Sequence, residues 1–213
     1  MSDALYWHGH LVGEMGVSGD EGGPLLGSLS GKTATFMVDG RDANVLFART
    51  LVGSIAREGR SSTVLDLDAL YSSHADLIFG GLTDGSGSLM VKVPAPGADI
   101  EAEFASLFSS NQQVIVIDSL NSFYHLVSME DGRSRGRRVM FALASLSCFA
   151  KANGSAVVFS MYRREGFAKS GRGRSIASLS DVTASVGIRN GGIEIRTENG
   201  SVWPGGVYFS RIP

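Results

Sequence analysis

The sequence predicts an α/β fold with a mostly parallel central sheet, helices on both faces and an antiparallel C-terminal edge. Three observations predict it. Short β-branched apolar runs alternate with helical stretches, as in sheets built from crossover units. One run, Val114-Ile115-Val116-Ile117, is β-branched throughout, the mark of a strand covered on both faces. The last thirty residues change to an in-out alternation, which belongs to antiparallel strands exposed on one side.

Taken in order, residues 8–31 hold eight glycines and no sustained periodicity, so residues 1–32 read as an irregular Gly-rich arm, with one short strand around Leu5 to Trp7. The core domain is placed at residues 33–213. Thr33 to Val38 is a buried strand bounded by Asp39-Gly40. Val45, Ala48, Leu51, Val52 and Ile55 then recur at helical spacing until Glu58-Gly59. Thr63 to Leu67 and Leu89 to Val93 are the next strands. Between Asp99 and Phe108 the acidic residues come first, where a helix dipole favours them, and Phe104, Leu107 and Phe108 share a face. Val114 to Ile117 ends in Asp118. A long helix covers Arg137 to Ala152, with Val139, Met140, Leu143, Leu146, Ser147 and Ala150 inward and Asn153-Gly154 as its stop. Ala156 to Phe159 is a further buried strand. Val186 and Ile188, Ile193 and Ile195, and Val207 and Phe209 mark the alternating edge.

With 213 residues and 43% hydrophobic content the chain has ample material for a core, which excludes disorder as its main state. A single cysteine, Cys148, forms no internal disulfide, and the N-terminus has neither the basic start nor the apolar stretch of a signal peptide. These features place the chain in the cytoplasm, with no membrane partner. Its net charge of -2 hides an asymmetry: residues 1–106 sum to -8 and residues 107–213 to +6. A basic half implies a surface for an anion or for an acidic neighbour.

The stretch Gly27-Ser28-Leu29-Ser30-Gly31-Lys32-Thr33 is tempting as a phosphate loop, and two tests reject it. It has three residues between its glycines where four are needed, and it enters a strand instead of a helix. The architecturally correct position is one strand later, at Asp39 followed by Gly40, Arg41, Asp42, Ala43 and Asn44. There the chemistry is wrong: no lysine meets phosphates, no Ser or Thr holds magnesium, and Asp39 and Asp42 repel a polyphosphate.

The order of elements resembles the RecA-like ATPase core, especially the archaeal RadA recombinase and KaiC-like branch. Gln113-Val114-Ile115-Val116-Ile117-Asp118-Ser119-Leu120 resembles its Walker B strand, whose aspartate orients the metal shell. After it come a loop with Gly132-Arg133-Ser134-Arg135-Gly136-Arg137, a helix, Lys151-Ala152-Asn153-Gly154 and the strand Ala156 to Ser160. The likeness spans roughly residues 33–197. The family's Walker A lysine and Ser/Thr are missing, and its catalytic glutamate is represented at best by Asp66 or Asp68. The resemblance therefore implies a degenerate member, of the recombinase-paralogue or Elongator RecA-like subunit type, that binds nucleic acid or a RecA-like partner with no cofactor. The alternative is an active ATPase with an atypical loop, in which Arg41 replaces the lysine and Asp118 and Asp68 surround magnesium beside ATP. Self-association or a paralogous RecA-like partner follows from the same resemblance.

Nine of the nineteen Lys and Arg lie in two Gly/Ser-rich segments: Arg133, Arg135, Arg137 and Arg138, then Arg163, Arg164, Lys169, Arg172 and Arg174. Both follow the C-terminal ends of core strands, where open α/β sheets bind ligands, and both match loops that face DNA in the recombinases. Arginine contacts phosphates bidentately and releases counterions, which suits single-stranded DNA or RNA, with Tyr162 and Phe167 available for stacking. Solvated loops or an acidic protein partner are the competing readings. His8 and His10 lack a third metal ligand nearby, no metal site is expected, and Cys148, amid Leu146, Phe149 and Ala150, reads as a packing residue. His74 and His125 lie near strand ends with no serine assigned to either.

Overall fold

The structure, a computed structural model, describes residues 4–7, 25–80, 87–109, 111–127, 135–163, 179–189, 192–198 and 202–208. Its strands are β1 (Ala4–Trp7), β2 (Thr33–Val38), β3 (Ser61–Asp66), β4 (Ser88–Lys92), β5 (Val114–Asp118), β6 (Ala156–Tyr162), β7 (Val182–Arg189), β8 (Gly192–Thr197) and β9 (Val202–Tyr208). The helices are α1 (Arg41–Arg57), α2 (Leu70–Ser73), α3 (Ala75–Phe79), α4 (Ile100–Ser106), α5 (Leu120–Val127) and α6 (Arg135–Asn153).

All these strands form one sheet in the order β1-β4-β3-β5-β6-β2-β7-β8-β9. The six from β4 to β7 are mutually parallel, while β1 at one edge and β8 and β9 at the other are antiparallel. The α/β class, the parallel centre and the antiparallel C-terminal edge agree with the sequence. Two details differ. β7, expected within the edge, pairs in parallel with β2, so the antiparallel part begins at β8. A second antiparallel strand, β1, closes the opposite side.

Side chains alternate along each central strand, and this splits the core into two layers. Val64, Val116 and Val158 face one side, where Phe47, Leu51 and Ile55 of α1 and Leu70 and Ile78 cover them. Leu65, Ile117, Val157 and Phe159 face the other, under Phe104, Phe123, Leu143 and Leu146 of α4, α5 and α6. Leu25, Leu26 and Leu29 are fully buried in the first layer, so the core draws on residues ahead of the boundary at 32 and 33.

Local signals set the helix ends. The Asp99 side chain accepts a hydrogen bond from the Ala102 N–H at 3.0 Å and caps α4. α6 ends at Gly154, whose φ of 67° is glycine's ordinary ground. Along α6, Val139, Leu143, Leu146 and Ala150 are buried as their spacing predicts. Cys148 is exposed, which corrects its reading as a packing residue: at two positions from both Leu146 and Ala150 it lies off the buried face.

Candidate functional site

The C-terminal ends of β3, β5 and β6 lie side by side, so register alone brings their last residues together. Asp66 is level with Asp118, and Ile117 is level with Phe159, which puts Ser160 beside Asp118. On the far side of β6, Val38 is level with Tyr162, and α1 begins three residues later.

Asp118 is the centre of this group and is 1% exposed. Its Oδ1 accepts hydrogen bonds from the Asn44 amide at 3.0 Å and from the Ser160 hydroxyl. Asn44 is also buried, and the same amide nitrogen donates to the Tyr162 hydroxyl at 3.1 Å. Burial pushes the Asp118 carboxyl up to about 6, with the Ser160 and Asn44 hydrogen bonds opposing and the nearby Asp68 and Asp66 charges adding to the rise. Burial likewise raises the Tyr162 phenol. The peptide bond between Asp118 and Ser119 is cis.

The two other carboxylates differ in what they do. Asp66 accepts from the Leu70 N–H at 2.8 Å, the Ser72 N–H at 3.0 Å and the Ser72 hydroxyl at 3.1 Å, so both its oxygens are spent on the start of α2. Burial raises its carboxyl and these bonds oppose the rise. Asp68 accepts a hydrogen bond from the Ser122 hydroxyl through Oδ1. Ala69, which follows it, takes a left-handed backbone with φ of 52°, so the chain bends sharply there. Asp68 Oδ2 and Asp118 Oδ2 are buried acceptors without a hydrogen-bond partner. Oxygen acceptors of this kind suit a hard cation such as magnesium. Among the described residues no group of three His, Cys, Asp or Glu is arranged to hold a metal ion.

Phosphates find no comparable provision. Only Asp39 and Gly40 separate β2 from α1, because Arg41, Asp42, Ala43 and Asn44 already form the helix's first turn. Gly40 makes the turn possible: its φ of 93° is open to glycine and strained for other residues. A two-residue turn cannot present the succession of backbone N–H groups that wraps a polyphosphate. Arg41 and Asp42 are exposed, Ala43 and Asn44 are buried, and the Asn44 side chain reaches the carboxylate where a magnesium-holding hydroxyl would be required. Among the described residues, the β2–α1 turn offers a polyphosphate neither a lysine nor a hydroxyl.

Of the basic residues, Arg133, Arg164, Lys169, Arg172 and Arg174, with Phe167, lie outside the described residues, as do His8 and His10. Arg135 opens α6, and Arg137 is exposed within its first turn. Arg138 pairs with Glu101 of α4 at 3.2 Å, and Arg163, just beyond β6, pairs with Asp39 at 3.4 Å. Both pairs are exposed, and such pairs are worth about 0–1 kcal/mol, little enough to be exchanged for another anion. Arg163 thus lies at the strand ends near Asp118, whereas Arg138 lies on the α4 side of the sheet. His74 joins α2 to α3, its Nδ1 3.2 Å from the Leu70 carbonyl oxygen, and His125 is exposed on α5.

Sequence reasoning singles out Asp118 and the β2–α1 turn, Asn44 included, but not the hydrogen bonds that join Asn44, Ser160 and Tyr162 at the carboxylate. Asn44 carried one usable signal, a polar residue at a helical position facing inward beside Ala43 and Phe47.

No family profile and no curated protein sequence matches the chain. Solved structures do match. One is a KaiC-like protein from the hyperthermophilic archaeon Pyrococcus horikoshii OT3, at 13% identity, covering 84% of this chain and 86% of that one with a TM-score of 0.54. A likeness at that identity is a likeness of fold. With the parallel six-strand centre, the helices on both faces and the strands' common C-terminal edge, it shows that this chain has the RecA/KaiC-like α/β fold.

Proposed function

We propose that this chain is a RecA-like accessory protein that binds nucleic acid without hydrolysing ATP, and that it works in association with copies of itself or with a RecA-like partner in the cytoplasm. The observation that carries this reading is the two-residue turn Asp39-Gly40 with Asn44 seated on Asp118, an arrangement that leaves a polyphosphate without a cradle. Among the described residues no helix is long and apolar enough to cross a membrane. The excess of Lys and Arg in the second half of the sequence supports an anionic partner, and Arg163 stands at the strand ends where such folds take their ligands. Its ion pair with Asp39 is weak enough to yield to a phosphate.

The rival reading, an ATPase using Arg41, Asp68 and Asp118, is favoured by the two unpartnered carboxylate oxygens. Calorimetry separates the two. Titration with ATP and magnesium is expected to give no heat of specific binding; micromolar binding that Asp118→Ala abolishes would overturn the first reading.

Nucleic-acid binding is tested by its salt dependence. Affinity for single-stranded DNA or RNA is expected to fall with rising salt, log K dropping by about 0.7 per contacted phosphate for each tenfold increase. Replacing Arg133, Arg135 and Arg137 with alanine flattens that slope, as does replacing Arg172 and Arg174, while sequence preference stays where it was, since backbone contacts position without reading bases. A wild-type chain that binds neither DNA nor RNA at low salt refutes this part of the proposal.

A further inference from the structure

The opposite face of the sheet carries a feature that the carboxylate site does not use. Between α4, α5 and α6 runs an open groove of about 340 Å³. Its buried wall is Phe104, Phe123 and Val127, with Phe108 beside them. Phe141 of α6 lines the same groove yet is 75% exposed, well beyond Ile188, Leu77 and Leu126, the other exposed large apolar side chains of α1–α6 and β2–β8. A single exposed phenylalanine is ordinary. A protruding ring at the border of an aromatic hollow is a knob beside a hole, which is the geometry a two-fold contact requires, because one patch must then fit itself.

The charges at the groove have the same property. Glu101 and Arg138 both line it, 3.2 Å apart and both substantially exposed. An acidic partner would leave Glu101 opposed to like charge, and a basic partner would do the same to Arg138. A second copy turned by a two-fold offers Arg138 to Glu101 and Glu101 to Arg138, so both charges are matched twice around an apolar centre.

We propose that the α4–α6 groove is an isologous docking surface for a second copy of this chain, with each Phe141 seated in the other copy's groove. This contact is separate from a head-to-tail one, in which the acidic half of one copy would meet the basic half of the next. It buries the ring that the monomer leaves in water, and a buried aromatic anchor is the type of residue that carries binding energy in protein interfaces.

Sedimentation velocity and light scattering on the full chain test the contact across the micromolar range. The wild type is expected to form a two-copy particle. Phe141→Glu is expected to weaken it at least about thirtyfold, the size of an interface hot spot, with the circular dichroism spectrum and melting midpoint of the wild type because the ring is exposed in the monomer. Glu101→Arg and Arg138→Glu are each expected to weaken the dimer by setting like charges against each other. An equimolar mixture of these two variants is expected to pair one to one. The internal Glu101–Arg138 pair stays broken in both variants, so recovery in the mixture arises only from contact between copies. A wild type that stays monomeric, a dimer that survives Phe141→Glu, or variants whose mixture fails to pair would each overturn the proposal. A larger assembly insensitive to Phe141→Glu would overturn it too, while leaving head-to-tail association standing.

Discussion

Asp118→Asn is expected to stabilise the chain at pH 8 and to erase a loss of stability that the wild type shows between about pH 4 and pH 6. The cause is the carboxyl's rise from 3.8 to about 6 on folding, driven first by burial. Between those values the folded chain keeps a proton that the unfolded chain releases, so stability falls as pH increases. The stabilisation is complete below the unfolded value and gone above the folded one. A rise of that size corresponds to roughly 3 kcal/mol. Asparagine retains an oxygen to accept from Asn44 and Ser160 and carries no charge. Its N–H groups, placed where Oδ2 now lacks a partner, cost about 1–3 kcal/mol, so the net gain at pH 8 is on the order of 1 kcal/mol. Flattening of the pH profile is the sharper signal. Urea denaturation of both chains from pH 4 to pH 8 measures it, and because the Asp66 charge acts on Asp118, the difference between the profiles reports the pair and not Asp118 alone. Identical pH profiles would show that Asp118 keeps an ordinary carboxyl.

Phe123→Ala is expected to cost about 3–5 kcal/mol, the usual range for emptying a phenylalanine's place in a core. Phe123 is 2% exposed and stacks on Phe104, with ring centroids 4.9 Å apart and planes 27° apart. It also holds α5 against the sheet. The same variant opens the wall of the α4–α6 groove, so any dimer that persists is expected to weaken as well. A drop in the urea midpoint with an unchanged slope reports the loss. A cost under about 1 kcal/mol would mean that α4 and α6 collapse onto the vacancy.

The sequence was most legible where a segment's structure is decided by its own side chains. Val114 to Ile117, β-branched throughout, is a doubly covered strand, and the period of α6 runs from Val139 to Ala150. Short helices were not legible. α2 has four residues, too few for a period, and its start is fixed by Asp66 of the preceding strand. α5 has Leu120, Phe123 and Val127 buried at helical spacing, but its eight residues follow directly on a strand and are too few to set a period apart from it. β7 shows the limit of alternation as a guide. Its Val186 and Ile188 alternate as an edge strand's would, yet its partner is β2, and no local feature of residues 182–189 names a partner so far away in sequence. At the candidate site the aspartate was legible because it ends a strand. Its environment was not, because Asn44 and Ser160 reach it from residues 74 positions before and 42 positions after.

The placement of β2 at the middle of the sheet also dictates when the chain becomes a folded body during synthesis. β2 is made before both of its hydrogen-bonded neighbours, β6 and β7, which begin at Ala156 and Val182. Until those residues leave the ribosome, β2 has no ladder to join and the apolar face of α1 has only part of its sheet to cover. β3, β4 and β5 are able to pair before then, so one flank of the sheet precedes its centre. A nascent chain of this order carries an unpaired, strongly apolar strand from the synthesis of Val38 to that of β6 at Ala156, and folding driven by such distant contacts is slow and exposed to aggregation.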